Sequence, residues 1–317
     1  MSITIDDIRR AAERIKPYVH RTPVLTNESL NKFVDAQVYL KCENLQKVGA
    51  FKFRGACNAV FSLSHEEAAR GVSTHSSGNH AQALALAAKL RGIPAYIVMP
   101  ENAPRVKKEA VAAYGGQITY CEPTLESRES TLATIAQKTG STVIHPYDNE
   151  HVISGQGTAA LELIEEISHL DVMIAPVGGG GLLSGTAIAA TGLNDKICVI
   201  GAEPEMADDA YRSIQAGEII PSTDPKTIAD GLLTSLGKIT FPIIQQHVGQ
   251  VVTVSESAII ESMKFVWERA KIIIEPSAAV AVGVLSEKKI DLSGLKVGVI
   301  LSGGNVDLQK LPWGSQA

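Results

Sequence analysis

The sequence has no two cysteines close together. Its four, Cys42, Cys57, Cys121 and Cys198, are scattered, so neither a CxxC zinc knuckle nor a redox dithiol is encoded. They read as reduced, mostly buried thiols, which fits a cytoplasmic protein. There is no basic block and no basic stripe interleaved with aromatics, and the formal charge is −5. Nucleic acid and anionic membrane surfaces are therefore poor partners. The least charged run, VMIAPVGGGGLLSGTAIAA, contains a proline and four adjacent glycines and makes a poor membrane span. The start, MSITIDDIRRAAERI, is charged where a signal peptide would be apolar. Fixed-period repeats and low-complexity linkers are missing as well.

What is present is an ordinary globular mix: 317 residues, 45% hydrophobic and 20% charged, enough for one large or two intimate domains. Strand-like and helix-like segments alternate. Asp6 or Asp7 is placed to cap a first helix ending before Pro17. QVYLKCEN reads as a strand, LQKVGA as a loop and FKFRGACNAVFSL as a helix. THSSGN reads as a loop and HAQALALAAKLRG as a helix stopped by Gly92. AYIVMP, QITYCEP, VMIAPV, CVIGAEP and VGVILSGG are further strands, with helices between them.

This rhythm predicts an α/β fold with a mostly parallel sheet covered by helices, and ligands at the carboxyl ends of the strands. Four unusual loops, KVGA, HSSGN, GGGG and LSGGN, adjoin predicted strands and lead into helices. They are expected to converge. Transitions near 65–75 and 145–152 are expected to enclose a smaller αβ unit.

Each loop has a chemical reading and a plain one. Gly178–Gly181 follow an apolar strand and open a helix, which allows backbone N–H groups to converge on a phosphate; the plain reading is a flexible turn, at a high entropic cost. The pattern is neither GxGxxG nor a P-loop. Lys52, between Phe51 and Phe53, is either a snorkelling lysine or a partly dried amine able to form a Schiff base. A lysine imine plus a phosphate cup is what pyridoxal phosphate requires. HSSGNHAQ suits a carboxylate, or is a helix cap. Ser302 of LSGGN can offer a hydroxyl to a ring nitrogen, or sit in a turn. The acids of EPEMADDAYRS either favour a helix N-terminus or ligate a hard divalent cation.

Together, KVGAFKFRGACNAV, THSSGNHAQALALAAK, VGGGGLLSG, GAEP, IEPSAAVAV and LSGGNVDL resemble fold-type II PLP enzymes, and are most similar to the serine racemase and serine/threonine dehydratase group. The likeness runs from RTPVL at 21–25 to LSGGNVDL. No regulatory extension follows that last motif, as in the short forms of the group.

The resemblance implies a tryptophan synthase β-like α/β fold. Residues 1–67 and 150–317 would make a large PLP-binding domain and 68–149 a small substrate-clamping domain, each with a mostly parallel sheet. It implies Lys52 as cofactor anchor and si-face base, and Ser77 as the re-face acid/base. Phe51 would pack on the pyridine ring, Asn79 face the ring hydroxyl and Ser302 the ring nitrogen, with Gly178, Gly179, Gly180 and Gly181 on the phosphate. Ser76, Ser77, Asn79 and His80 would hold the substrate carboxylate. Glu203, Asp209 and the carbonyl of Ala207 match a divalent-metal site for Mg²⁺, Mn²⁺ or Ca²⁺.

The implied activity is racemisation of serine together with loss of water from L-serine or L-threonine to keto acid and ammonia, as in serine racemases and serine–threonine ammonia-lyases. The implied state is a homodimer. Arg128 matches an arginine near the active-site mouth; bound to a second substrate carboxylate, it would make the substrate 3-hydroxyaspartate. Otherwise it is a surface arginine between Glu126 and Glu129. A β-replacement enzyme of the cysteine synthase type fits less well with Glu203, Asp209 and SSGNH. A binding regulator on an inactive scaffold is opposed by Lys52, Ser77 and Ser302.

Departures from the group's pattern are local. Ala50 stands where many members carry serine, and Tyr147 where the animal enzymes have asparagine. TNES at 26–29 lacks the paired serines of the animal nucleotide-effector site. Lys47, Gln82 and Tyr114 match that site and Val48 does not, which argues against an ATP effector.

Overall fold

A computed structural model of the chain describes residues 3–103 and 105–313; the outermost ends of the large-domain bounds drawn above lie outside them. The strands are β1 (Val24–Leu25), β2 (Gln37–Cys42), β3 (Val72–His75), β4 (Ala95–Pro100), β5 (Gln117–Cys121), β6 (Thr142–Val143), β7 (Val172–Pro176), β8 (Cys198–Pro204), β9 (Gln250–Val254) and β10 (Lys296–Leu301). They form two sheets, a six-stranded one ordered β1-β2-β10-β7-β8-β9 and a four-stranded one ordered β5-β4-β3-β6. Among these strands, only the β1–β2 pairing is antiparallel. The second sheet uses residues 72–143 alone, inside the segment expected to form the smaller unit.

The helices before and around the second sheet are α1 (Ile5–Ile15), α2 (Glu28–Val34), α3 (Lys52–Ser62), α4 (His65–Arg70), α5 (Asn79–Arg91), α6 (Arg105–Ala113) and α7 (Leu125–Thr139). Then come α8 (Glu150–Glu166), α9 (Gly181–Leu193), α10 (Asp209–Ala216), α11 (Thr240–His247), α12 (Glu256–Phe265) and α13 (Pro276–Ser286). Central strands such as β7 are buried throughout, as expected of parallel strands covered on both faces. Helix α9 is buried from Gly181 to Ala190 and is apolar all round for the same reason.

Glycines let three helices pack tightly behind the site. A Cβ at Gly155 of α8 would lie 2.6 Å from Gly55 Cα on α3, and one at Gly185 of α9 would lie 2.5 Å from Gly157 N on α8. Next to this contact is a buried ion cluster. Arg54 donates to Glu43 (2.7 and 2.8 Å) and to Glu162 (2.7 and 2.8 Å), and Lys41 Nζ donates to Glu162 (2.6 Å) and to the Thr22 carbonyl (2.7 Å). It ties β2, α3 and α8 together two residues after Lys52.

The structure corrects several local expectations. The first helix is capped by Thr4, with Asp7 at its third position completing a capping box. THSSGN is not all loop: VSTH is β3, a strand hidden by its polar composition, with Ser73 Oγ accepting from Ser141 Oγ at 2.9 Å. The strand read over QVYLKCEN stops at Cys42, a 3₁₀ turn Glu43–Leu45 runs into the first residue of LQKVGA, and a second, Lys47–Gly49, lies within that loop. LSGGN follows β10 but leads into extended chain and turns instead of a helix. The cysteines are free, with Cys198 exposed and the other three buried. No helix among the described residues is long and apolar enough to cross a membrane.

Candidate active site

HSSGN, GGGG and LSGGN line one cleft of about 630 Å³ between the two sheets, and KVGA delivers Phe51 and Lys52 to it. Every residue given a catalytic, cofactor or substrate role above borders it; Glu203, Ala207 and Asp209 do not.

Lys52 is the first residue of α3. The loop before it is stitched to the end of β10: Phe51 N donates to the Ser302 carbonyl (3.0 Å), and Ala50 bridges Gly303. Val48 takes a left-handed conformation (φ 58°), unfavourable for a β-branched residue and therefore imposed by its surroundings. Lys52 Nζ donates to the Pro146 carbonyl (2.8 Å) and lies 5.1 Å from the centre of the Phe51 ring. Burial pushes its pKa down to about 8, against the opposing pull of Glu275. The amine is therefore easily freed of its proton near neutrality, which a Schiff-base lysine requires.

Gly178–Gly181 run from β7 to the N-terminus of α9. Among the described residues, none of their four N–H groups donates a backbone hydrogen bond, whereas the Gly179 carbonyl is held by Thr240 Oγ1 (2.8 Å). Open donors at a helix start form an anion cup. Side chains would fill it or collide: a Cβ at Gly178 would meet Leu232 Cα at 2.9 Å, and one at Gly179 would meet the Tyr147 ring at 2.4 Å. The cradle, the lysine and Ser302, which is 3% exposed, fit a phosphorylated pyridine aldehyde.

The SSGN loop links β3 to α5. Ser76 Oγ accepts from Gly78 N (3.3 Å). The His80 ring is turned away, its Nε2–H on the Ile144 carbonyl (3.1 Å), so towards a carboxylate it offers only its backbone N–H. Burial pushes its pKa down to about 3, and the ring is neutral. Arg128, in the first turn of α7, borders the cleft with Nε buried and without a hydrogen-bond partner.

Glu203, next to last in β8, accepts from Ala210 N and Tyr211 N, both at 2.7 Å, at the start of α10. The plain role of an acid at a helix N-terminus is thus real. Both Asp209 carboxylate oxygens are buried without partners, and burial raises the pKa of Glu203 to about 8 and that of Asp209 to about 6. Two desolvated carboxylates beside a buried Ala207 fit a hard cation. Among the described residues there is no cluster of three or more His, Cys, Asp or Glu side chains able to hold a metal.

Sequence reasoning missed Asp148, which lies beside the cleft without lining it, and Glu275, which does line it. Asp148 accepts from Lys238 N (3.0 Å) and Ile239 N (2.8 Å), fixing the turn above the glycine loop. Glu275, inside a motif noted only for its likeness, is buried in the cleft. Its position directly before a proline that opens an apolar helix was the available signal.

The chain matches the family model "Pyridoxal-phosphate dependent enzyme" over residues 15–303. It is 53% identical to a serine racemase of Dictyostelium discoideum, covering 98% of this chain and 97% of that one. It is 51% identical to a beta-hydroxyaspartate dehydratase of Paracoccus denitrificans, covering 98% of each. The crystal structure of the Dictyostelium serine racemase superposes with a TM-score of 0.94 over 97% of this chain and all of that one. With the match spanning both sheets and the cleft loops as far as Gly303, the chain belongs to the pyridoxal-phosphate dependent enzyme family.

Proposed function

We propose that the chain is a PLP-dependent racemase and dehydratase of β-hydroxy amino acids. It interconverts serine enantiomers and removes water from L-serine or L-threonine, yielding keto acid and ammonia. The observation that carries this reading is the convergence of Lys52, the open glycine N–H groups and the SSGN loop on one cleft. The names of the relatives support the same substrate class.

When bound, the cofactor supplies an electron-withdrawing ring that acidifies the substrate Cα–H. Lys52 anchors it, and its low-pKa amine takes the Cα proton. Gly178–Gly181 bind the phosphate, Phe51 packs on the ring, and Asn79 and Ser302 meet its polar atoms. Ser302 would offer the ring nitrogen a neutral hydroxyl in place of a carboxylate, so that the bound ring would withdraw charge less completely and loss of a β-hydroxyl would compete with return of the proton. Ser77 delivers a proton from the other side in racemisation. Ser76 and the backbone N–H groups at the start of α5 receive the substrate carboxylate. Segment 68–149, with its own sheet, is read as the domain that clamps the substrate. Glu203, Asp209 and the Ala207 carbonyl hold a divalent cation outside the cleft. A homodimer in the cytoplasm completes the reading.

A second reading, 3-hydroxyaspartate dehydration, is favoured by Arg128, whose unpartnered Nε at the cleft suits a second carboxylate. The test is a product assay on PLP- and Mg²⁺-loaded protein. L-serine, D-serine, L-threonine and the 3-hydroxyaspartate isomers are supplied separately, and keto acid and chirality are followed together. D-serine and pyruvate from L-serine are expected. Keto acid from 3-hydroxyaspartate far above that from serine would move the assignment to the second reading, and no turnover of either class would overturn both.

A further inference from the structure

Of the acids bordering the cleft, Glu129 and Asp230 are exposed, while Glu275 is 5% exposed. Glu275 stands just before α13, but its side chain does not cap that helix. Its carboxylate reaches the start of α5 and the chain just after β10. Oε1 accepts from Asn79 Nδ2 (3.0 Å); Oε2 accepts from the same nitrogen (3.2 Å) and from Asn305 N (3.0 Å). Asn79 Oδ1 in turn accepts from Asn305 Nδ2 (2.9 Å), which also donates to the carbonyl of the strained Val48 (2.7 Å).

These contacts leave one orientation for the Asn79 amide. An ionised carboxylate only accepts, so the Asn79 atom facing it is the NH₂ group. Asn305 donates to the other end, so that end is the carbonyl. One Asn79 N–H stays free of these contacts, and towards a ring oxygen it can donate. Room for the carboxylate is secured by Gly303, where a Cβ would lie 2.6 Å from Glu275 Oε1.

The charges around Glu275 come from three elements: Lys52 at the start of α3, Lys107 on α6 and Asp230 in the chain before α11. Burial pushes the Glu275 pKa up to about 7, with Asp230 adding to the rise and Asn79, Asn305 and Lys107 opposing it. Its charge in turn favours a protonated nitrogen at Lys52.

We propose that Glu275 is a positioning residue of the cofactor site, holding Asn79 with an N–H towards the ring oxygen and supplying the buried countercharge that keeps the nitrogen of the Lys52–cofactor linkage protonated. The proposal rests on the reading of Lys52 as anchor and Asn79 as partner of the ring hydroxyl. Glu275 touches neither substrate nor reacting atoms in this scheme; it acts through Asn79 and through charge.

The test uses the PLP-loaded full chain as wild type, Glu275→Gln, Glu275→Asp and Asn305→Ala. Borohydride reduction followed by peptide mapping locates the linkage. Cofactor on a lysine other than Lys52 overturns the underlying reading, whatever Glu275 does. The substrate-free absorption spectrum is then titrated across the neutral range. In Glu275→Gln the visible band is expected to give way to the near-ultraviolet band, its transition moving down by about one pH unit. Turnover of serine should fall roughly tenfold in kcat with little change in KM. Glu275→Asp should recover most of the visible band, and Asn305→Ala should shift it in the direction of Glu275→Gln but less. A wild-type absorption–pH profile in Glu275→Gln, with the cofactor still on Lys52, would overturn the proposal. Should that variant fail to fold, an unchanged profile in Asn305→Ala would do so.

Discussion

The ring of Tyr147 lies against the backbone of Gly179, so that a Cβ at position 179 would stand 2.4 Å from both Cγ and Cδ1. Cγ is near the root of the side chain and cannot swing clear without moving the 145–148 turn, whose Pro146 carbonyl receives Lys52. Gly179→Ala is therefore expected to cost about 1–3 kcal/mol of stability by overpacking. It should also weaken PLP binding, read by absorbance titration. Adding Tyr147→Ala should recover stability; if it does not, the contact is not the cause.

Arg128 should separate the two substrate classes. If its guanidinium receives a second carboxylate, Arg128→Ala loses a charge-assisted contact of about 1.5–3 kcal/mol. That is a roughly tenfold to hundredfold fall in kcat/KM for 3-hydroxyaspartate, with serine little affected. Arg128→Lys should recover only part, because an ammonium lacks the planar fork. Equal losses on both substrates would remove Arg128 from the specificity determinants.

Asp209 has two buried, unpartnered oxygens in this structure. Mg²⁺ or Ca²⁺ added to metal-stripped protein should raise the melting temperature, since anything binding only the folded state stabilises it. Asp209→Asn should abolish most of that rise. A melting temperature indifferent to both cations in the wild type would leave Glu203 as a helix-end acid alone.

Glu162 should govern the acid limb of stability. Burial alone would raise its pKa, but Arg54 and Lys41 prevail and hold it below the ordinary glutamate value of 4.5. The stabilisation is therefore complete above that value and is lost as pH falls through the lowered one. Glu162→Gln leaves Lys41 buried without a carboxylate partner while Arg54 keeps Glu43, at a cost of about 3–5 kcal/mol at neutral pH. Its stability should also depend less on pH in the acid range, measured by denaturant unfolding at a series of pH values.

Much of the fold was legible. Gly92 does end α5 in the left-handed conformation expected of it, and the apolar run VMIAPV does become a central strand. The glycine loop, Lys52, Ser77 and Ser302 were recognisable from residue type and order, and all border the cleft. Strand β3 was missed because its serine and threonine resemble loop composition; burial and the Ser73–Ser141 hydrogen bond make it a strand. Helix α4 carried a readable capping box, Ser64 with Glu67, that went unused.

What the sequence determined by itself is local chemistry: which segments alternate, where backbone N–H groups are freed by glycine, and which lysine is flanked by apolar rings. These follow from short-range sterics and periodicity. Only the tertiary structure decided which way the side chains of that chemistry face. It turned His80 onto the Ile144 carbonyl, left Arg128 Nε without a partner, and put Glu275 against Asn79, a contact across 196 residues of chain. Such pairings depend on the packing of one sheet's helices against the other's, and the desolvation that shifts Lys52 and Glu275 towards neutrality exists only once that packing has excluded water.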